Sequence, residues 1–173
     1  HIDFTDEAYV NEGIFAIIGH TGAGKTTILD AICLALYGET PRLGKVTGSY
    51  NEVMSRQTGE CSAEVVIDVN GVHYRCYWYQ RRARCKPDGN LQEIIHELAL
   101  ASDHNGQKAG TILEEKASLT KSRIVDLIRM DFDQFTRSIL LAQGSFAAFL
   151  KADTGERADI LEKITGTDIY ATI

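Results

Sequence analysis

No apolar run in this chain approaches the ~20 residues that a membrane span needs, and no signal peptide opens it. The four cysteines stand at 33, 61, 76 and 85 and form no C-x-x-C pair, and no histidine stands at zinc spacing to them. Cys33, Cys61 and Cys76 fall on apolar faces, where the thiol is expected to pack as a small hydrophobe in a reducing, cytoplasmic setting. A basic excess is missing too. The net charge is −6, which argues against a simple nucleic-acid binder. Low complexity is absent: 44% of residues are apolar and 24% charged, the balance of a globular chain rather than a disordered one. A length of 173 residues suits one domain, or one lobe of a larger one, with a core of its own.

What is present begins at Gly19. Residues 19–27 read G-H-T-G-A-G-K-T-T, directly after the apolar run Phe15-Ala16-Ile17-Ile18. This is G-x-x-x-x-G-K-T, the loop that grips nucleotide phosphates. Gly19, Gly22 and Gly24 let the backbone curl so that several N–H groups converge on one anion. Lys25 supplies a point charge for the terminal phosphates, and the Thr26 hydroxyl suits a magnesium ion. The strand–loop–helix context is the demanding one. A buried strand is expected over 15–18 and a helix from about Thr26 to Tyr37, stopped by Gly38. Ile28, Leu29, Ile32, Cys33 and Leu36 recur at helical spacing, with Asp30 and Tyr37 as polar exceptions. The phosphate-binding set is therefore Gly19, His20, Thr21, Gly22, Ala23, Gly24, Lys25, Thr26 and Thr27. The motif implies a nucleotide such as ATP with Mg2+; it does not specify the reaction.

The middle of the chain reads as antiparallel sheet. Cys61, Ala63, Val65, Ile67 and Val69 alternate with mostly polar residues up to Asn70-Gly71, a strong hairpin signal. A two-residue turn pairs Val69 with Val72, Ile67 with Tyr74, Val65 with Cys76 and Ala63 with Trp78, all on one face. On the other face Glu60 opposes Arg81. A turn at Pro87-Asp88-Gly89-Asn90 leads into a strand-like run from Leu91 to Leu100, and Asp103 to Gly106 marks a third turn. Val65-Val66-Ile67-Asp68 imitates the apolar run ending in Asp that holds magnesium in P-loop ATPases. The Asn-Gly turn two residues on instead makes Asp68 a solvated hairpin residue. Arg75, Arg81, Arg82, Arg84 and Lys86 interleave with Tyr77, Trp78 and Tyr79. Such a cluster is either a surface that tracks phosphates with aromatic support or the solvated face of a hairpin, partly neutralised by Glu60, Glu64 and Asp68.

The last third reads as helical. Thr111 to Arg129 carries helical spacing in two pieces, with a break near 120–122. Asp131 with Gln134 three residues on forms a capping box, and Phe132, Phe135 and Ile139 make the stripe of the next helix. Gln143 and Gly144 interrupt an apolar stretch, and a neutral amide at 143 can coordinate magnesium or orient water. Short helices are expected over 146–150 and from about 153 to 165. Both ends read as cut: His1-Ile2-Asp3-Phe4 already alternates like a strand, and Ile173 interrupts a helical run.

At this point the residues resemble a known family. Gly19 to Thr27 followed by Leu29-Asp30-Ala31-Ile32-Cys33-Leu34-Ala35-Leu36-Tyr37, the stretch Asp131 to Ser138, the stretch Gln143 to Leu150, and Gly155-Glu156-Arg157 through Tyr170 are similar to the SbcC family. Its members are the ATPase subunits of the SbcCD nucleases, within the SMC-like ABC ATPases. The resemblance runs over nearly the whole chain with the motifs in order. It implies an α/β P-loop NTPase fold: one N-terminal ABC-type ATPase lobe over 1–173. That lobe would comprise a P-loop strand and helix (1–58), an antiparallel β-subdomain (59–110) and a helical part (111–173) leading toward a coiled coil. It implies that Gln143 is the Q-loop glutamine, a magnesium ligand and γ-phosphate sensor, catalytic together with Lys25. It implies partners: an SbcD-like nuclease subunit, the C-terminal lobe of the same chain, a second head in a homodimer, and double-stranded DNA, with Arg81, Arg82 and Arg84 as candidate DNA contacts. His20 departs from the family's proline, and its side chain is expected to point away from the phosphates. The aspartate and glutamate that hold magnesium and activate water, and the signature motif, are not found in these residues.

Two other functions fit a P-loop of this length. One is a small kinase, which would alternate helices with parallel strands. The other is a non-catalytic DNA-binding module switched by ATP. A predominantly antiparallel sheet over Cys61–Leu100 separates the first reading from the kinase.

Overall fold

In the computed structural model the described residues are 1–11, 16–101 and 109–138. The N-terminal alternation does not become a strand. The Asp3 carboxylate accepts from the backbone N–H and hydroxyl of Thr5 at 2.9 and 2.7 Å, a local turn that competes with extended pairing. Asp6 then caps α1 (Glu7–Val10) through the Ala8 N–H. The phosphate-loop helix follows as α2 (Lys25–Tyr37), closed by Gly38 at φ 69° with its N–H on the Leu34 carbonyl. A small hairpin of β1 (Glu39–Thr40) and β2 (Gly44–Lys45) comes next.

The main sheet has four strands, all antiparallel: β3 (Glu60–Val69), β4 (Val72–Arg81), β5 (Ile95–Ala101) and β6 (Ala109–Glu114), in that spatial order. The β3–β4 register is the one the sequence predicts: Val69 faces Val72, Ile67 Tyr74, Val65 Cys76, Ala63 Trp78 and Glu60 Arg81. Asn70 and Gly71 take positive φ of 55° and 80°, the twist that a two-residue turn needs. The Asp68 carboxylate accepts from the Gly71 N–H at 3.0 Å and lies 3.5 Å from His73 Nε2. Asp68 is thus a half-exposed turn residue, as its position ahead of Asn-Gly predicts.

Two expectations need correction. The helical spacing read over Thr111–Arg129 conceals the edge strand β6, whose Ile112 lies opposite Ala99. Pairing with β5 outweighs local periodicity there. The helix proper, α3 (Ala117–Ile128), runs through 120–122 without a break. Thr120 stays in it because its hydroxyl serves both the Lys116 and His96 carbonyls, at 3.2 and 2.8 Å. After the left-handed Arg129, α4 (Phe132–Ser138) starts on the expected capping box: the Gln134 N–H donates to Asp131 at 2.8 Å and the Gln134 side chain accepts from the Asp131 N–H at 3.0 Å. The turn at 103–106, Ile139, Gln143 and the helices beyond them lie outside the described residues.

The core forms around the C-terminal half of α2. On one side Cys33, Leu36 and Tyr37 pack with Cys76, Leu98, Ile124 and Phe135; on the other Leu34 and Ala35 meet Val46, Ala63 and Trp78. Each fully buried large side chain contributes about 1.5–3 kcal/mol. Cover on both sides explains why Leu34 and Ala35 are buried although they lie off the predicted stripe, while Leu29 stays 37% exposed. Burial pushes the thiols of Cys33 and Cys76 up to about 12, so both act as packing groups, as expected. Trp78 is fully buried against the end of α2, and its indole N–H has no acceptor among the described residues.

Candidate nucleotide-phosphate site

The first turn of α2 carries the site. Gly22 and Gly24 take φ of 85° and 83°, a conformation that costs a side-chain-bearing residue about 1–2 kcal/mol. A Cβ on Gly19 would lie 3.2 Å from that of Ala23, so the loop closes tightly at its start. The Ala23 N–H reaches the His20 carbonyl at 3.1 Å and the Thr27 N–H the Gly24 carbonyl at 3.0 Å. Among the described residues the backbone N–H groups of Gly24, Lys25 and Thr26 have no acceptor. These are the orphan donors of a helix start, and they share one end of the helix dipole. No acidic residue in the first turn offsets that positive end.

Lys25 folds back over the loop. Its ammonium donates to the carbonyls of Gly19 at 2.5 Å and His20 at 2.9 Å. An ammonium has three donors, so one remains for an incoming oxygen while the other two hold the loop. Thr26 is half-buried on the same first turn, and His20, Thr21 and Thr27 are exposed. Lys25 and the N–H groups of Gly24, Lys25 and Thr26 thus lie together on the loop and first turn of α2, while those of Ala23 and Thr27 are bonded within the loop. The chemistry of the loop suits a polyphosphate: N–H groups and a cation for oxygens, and one hydroxyl for a divalent ion.

The strand expected over 15–18 is not seen among its described residues. Of its residues, 16–18 carry no strand pairing, and Ile17 and Ile18 are 45% and 89% exposed. A strand exists through its ladder, and among the described residues no strand lies beside 16–18. The loop nonetheless keeps its shape, because its glycines and Lys25 act locally.

Three features escaped the sequence reading. Asp30, one helical turn beyond Thr26, is 4% exposed and its carboxylate accepts from Arg42 Nη2 at 2.7 Å. Tyr37 donates its hydroxyl to the Met130 carbonyl at 3.2 Å. His96, buried on β5, has Nε2 2.9 Å from the Ala35 carbonyl, and burial holds its pKa below the ordinary value. The only signal for the first two was that Asp30 and Tyr37 interrupt an apolar helix; their partners are fixed by tertiary packing.

The basic cluster divides. Arg75 is consumed on the sheet face: its guanidinium is 2.5 Å from Glu64 and 3.7 Å from Glu97, and lies over the Tyr77 ring at 4.6 Å. Arg82 is half-buried, with Nη1 on the Gly89 carbonyl at 3.1 Å. Arg81, Arg84 and Lys86 are exposed at the far end of the β3–β4 hairpin. Arg84 and Cys85 there both take positive φ, 57° and 53°.

A glycine-shaped anion cradle at the start of a helix, beside a mixed α and β core, defines an α/β P-loop nucleotide-binding domain. A family model described as an AAA domain matches residues 1–172, and the chain belongs to that family. It is also similar along nearly its whole length to proteins named as the SbcC component of the nuclease SbcCD. The protein of Rhodobacter capsulatus is 41% identical over 188 residues, covering 99% of this chain and 15% of that protein. That of Pseudomonas aeruginosa is 40% identical over 187 residues, covering 99% and 15%. That of Deinococcus radiodurans is 33% identical over 162 residues, covering 94% and 17%. The chain thus spans about 15% of the length of the first two of these relatives. No helix among the described residues is long and apolar enough to cross a membrane.

Proposed function

We infer that this chain is the ATP-binding lobe of an SbcC-like ATPase, in which ATP joins two heads and so controls how a nuclease subunit processes double-strand DNA ends. The observation that carries this is the cradle at α2. Lys25 and the N–H groups of Gly24, Lys25 and Thr26, which have no acceptor among the described residues, would hold a triphosphate, and the Thr26 hydroxyl would hold Mg2+. The metal, when bound, neutralises phosphate charge in phosphoryl transfer. A cavity of about 560 Å³ opens beside Gly24 and Thr27, with Phe4, Ile28 and Val65 in its walls, within the usual range of ligand clefts. The names of the relatives support the nuclease-complex setting, and with it a cytoplasmic place. The antiparallel sheet disfavours the small-kinase reading.

Hydrolysis in this scheme is shared. Gln143 is the proposed Q-loop ligand and sensor. Asp30 is paired with Arg42 and is not available to activate water. The general base and signature motif are proposed to come from the C-terminal lobe and from a partner head across the homodimer. The nuclease partner is proposed to be SbcD-like, with a coiled coil between the two lobes. Arg81, Arg82 and Arg84 are the proposed DNA contacts, supported by the exposure of Arg81 and Arg84.

The decisive experiment is Lys25→Ala with titration of ATP. Loss of a charge-assisted contact is expected to weaken binding about 100-fold; affinity equal to that of the parent protein would sink the phosphate-site assignment. For DNA, reversing Arg81, Arg82 and Arg84 to Glu is expected to weaken binding and flatten its salt dependence. An unchanged slope would leave that hairpin end without a role in DNA binding.

A further inference from the structure

The chain as a whole is acidic, with a net charge of −6, yet residues 55–60 and 81–90 together hold five basic and two acidic side chains. The fold brings these two stretches to one end of the sheet. Glu60 at the start of β3 pairs with Arg81 at the end of β4, and the Arg82 N–H donates to the Gly59 carbonyl at 2.7 Å. A Cβ on Gly59 would overlap the Cys85 carbonyl, so the two stretches touch there. Residues 55–58 close a turn of their own, with the Thr58 N–H on the Ser55 carbonyl at 3.1 Å. Arg56 thus stands on a turn beside the loop that carries Arg84 and Lys86, and all three are exposed.

That loop is strained and firmly held. Arg84 and Cys85 are successive residues at φ 57° and 53°, a region that side-chain-bearing residues avoid. Arg82 pins the loop through Nη1 on the Gly89 carbonyl at 3.1 Å, and the Ala83 N–H closes it on the Asn90 carbonyl at 2.8 Å. Glycine would sit at position 84 without strain. Nothing in the fold compensates for arginine there: the side chains of Arg84 and Arg56 have no partner among the described residues. Strained positions of this kind cluster where ligands are held. Of the two carboxylates in these stretches, that of Glu60 already accepts from the Tyr79 hydroxyl at 2.8 Å.

We propose that the turn at 55–58 and the loop at 82–90 form one rigid surface for the phosphate backbone of DNA, with Arg56 and Arg84 as its main contacts. This deepens the DNA-binding reading given above and rests on it. It adds Arg56, which lies far from Arg84 in sequence, and it makes the contact independent of base sequence. Guanidinium groups presented by a turn and a loop meet phosphates, which position a duplex without reading its bases. A loop already fixed in shape loses little conformational freedom on binding.

The test uses the full-length protein and two blunt duplexes of equal length and unrelated sequence. DNA affinity over a salt series and the urea midpoint are measured for the parent, Arg56→Ala, Arg84→Gly and the double variant. Each single substitution is expected to weaken binding of both duplexes about five-fold and to lower the salt slope by about one, and the double variant to lower it by about two. Arg84→Gly is expected to keep or raise the midpoint, because it relieves the left-handed strain. Three results would overturn the proposal: an unchanged slope in either single variant, a loss confined to one duplex, which marks base readout, or a lower midpoint in Arg84→Gly, which marks a packing role. If the parent binds neither duplex, the DNA-binding reading itself fails. If Arg81→Glu weakens binding while Arg56→Ala and Arg84→Gly do not, only the present proposal fails.

Discussion

The β3–β4 hairpin and the segment entering the phosphate loop are both built from apolar residues beside glycine, yet one is finished and the other is not. In the hairpin, Asn70-Gly71 turns the chain back on itself, and every inward residue meets a partner within twenty positions. At 16–18 the apolar residues carry no strand pairing, and Ile18 is 89% exposed. An antiparallel pair carries its own partner through a tight turn, whereas a strand that enters a phosphate loop depends on pairing with distant chain. The loop beyond it needs neither: the left-handed glycines and the two bonds of Lys25 shape it locally.

That contrast can be broken at the end of the hairpin away from the Asn70-Gly71 turn. A Cβ on Gly59 would lie 1.9 Å from the Cys85 carbonyl oxygen, a backbone atom. Gly59→Ala is therefore expected to destabilise by about 3 kcal/mol, read as a lower urea midpoint; an unchanged midpoint would mean that the 82–90 loop yields. Gln80 comes next. It is fully buried, accepts from Asn51 at 2.8 Å, and donates to the carbonyls of Thr47 and Gln92 at 3.0 and 2.9 Å. Gln80→Leu leaves those groups unpaired and is expected to cost about 2 kcal/mol. In the entering segment, Ile18→Ser is expected to change stability by less than about 0.5 kcal/mol in this 173-residue chain. A larger loss would show that the entering segment is held by contacts its exposure does not suggest.

What the sequence made legible was what local chemistry decides. The P-loop, the end of α2 at Gly38, the hairpin register and the Asp131 cap each depend on a few neighbouring residues. What it hid depends on distance. The spacing of Thr111-Ile112-Leu113 fits a helix as well as a strand, and only β5 alongside decides for the strand. Asp30 reads as a polar exception until Arg42 arrives from the β1–β2 hairpin. The basic cluster reads as one patch, but Arg75 sits mid-strand between two glutamates, while Arg84 lies on a loop with no carboxylate bonded to it among the described residues.

Trp78 carries a practical consequence. It is the only tryptophan in the chain, it is wholly buried with no acceptor for its indole N–H among the described residues, and that nitrogen lies 3.7 Å from where a Cβ on Gly38 would stand. The molecule therefore has a single indole fluorophore, excitable apart from its seven tyrosines at long wavelength, at the far end of the phosphate-loop helix. Its emission should be that of a dry indole. A shift in its wavelength on nucleotide addition would report, without any label, movement at the end of α2 opposite the cradle.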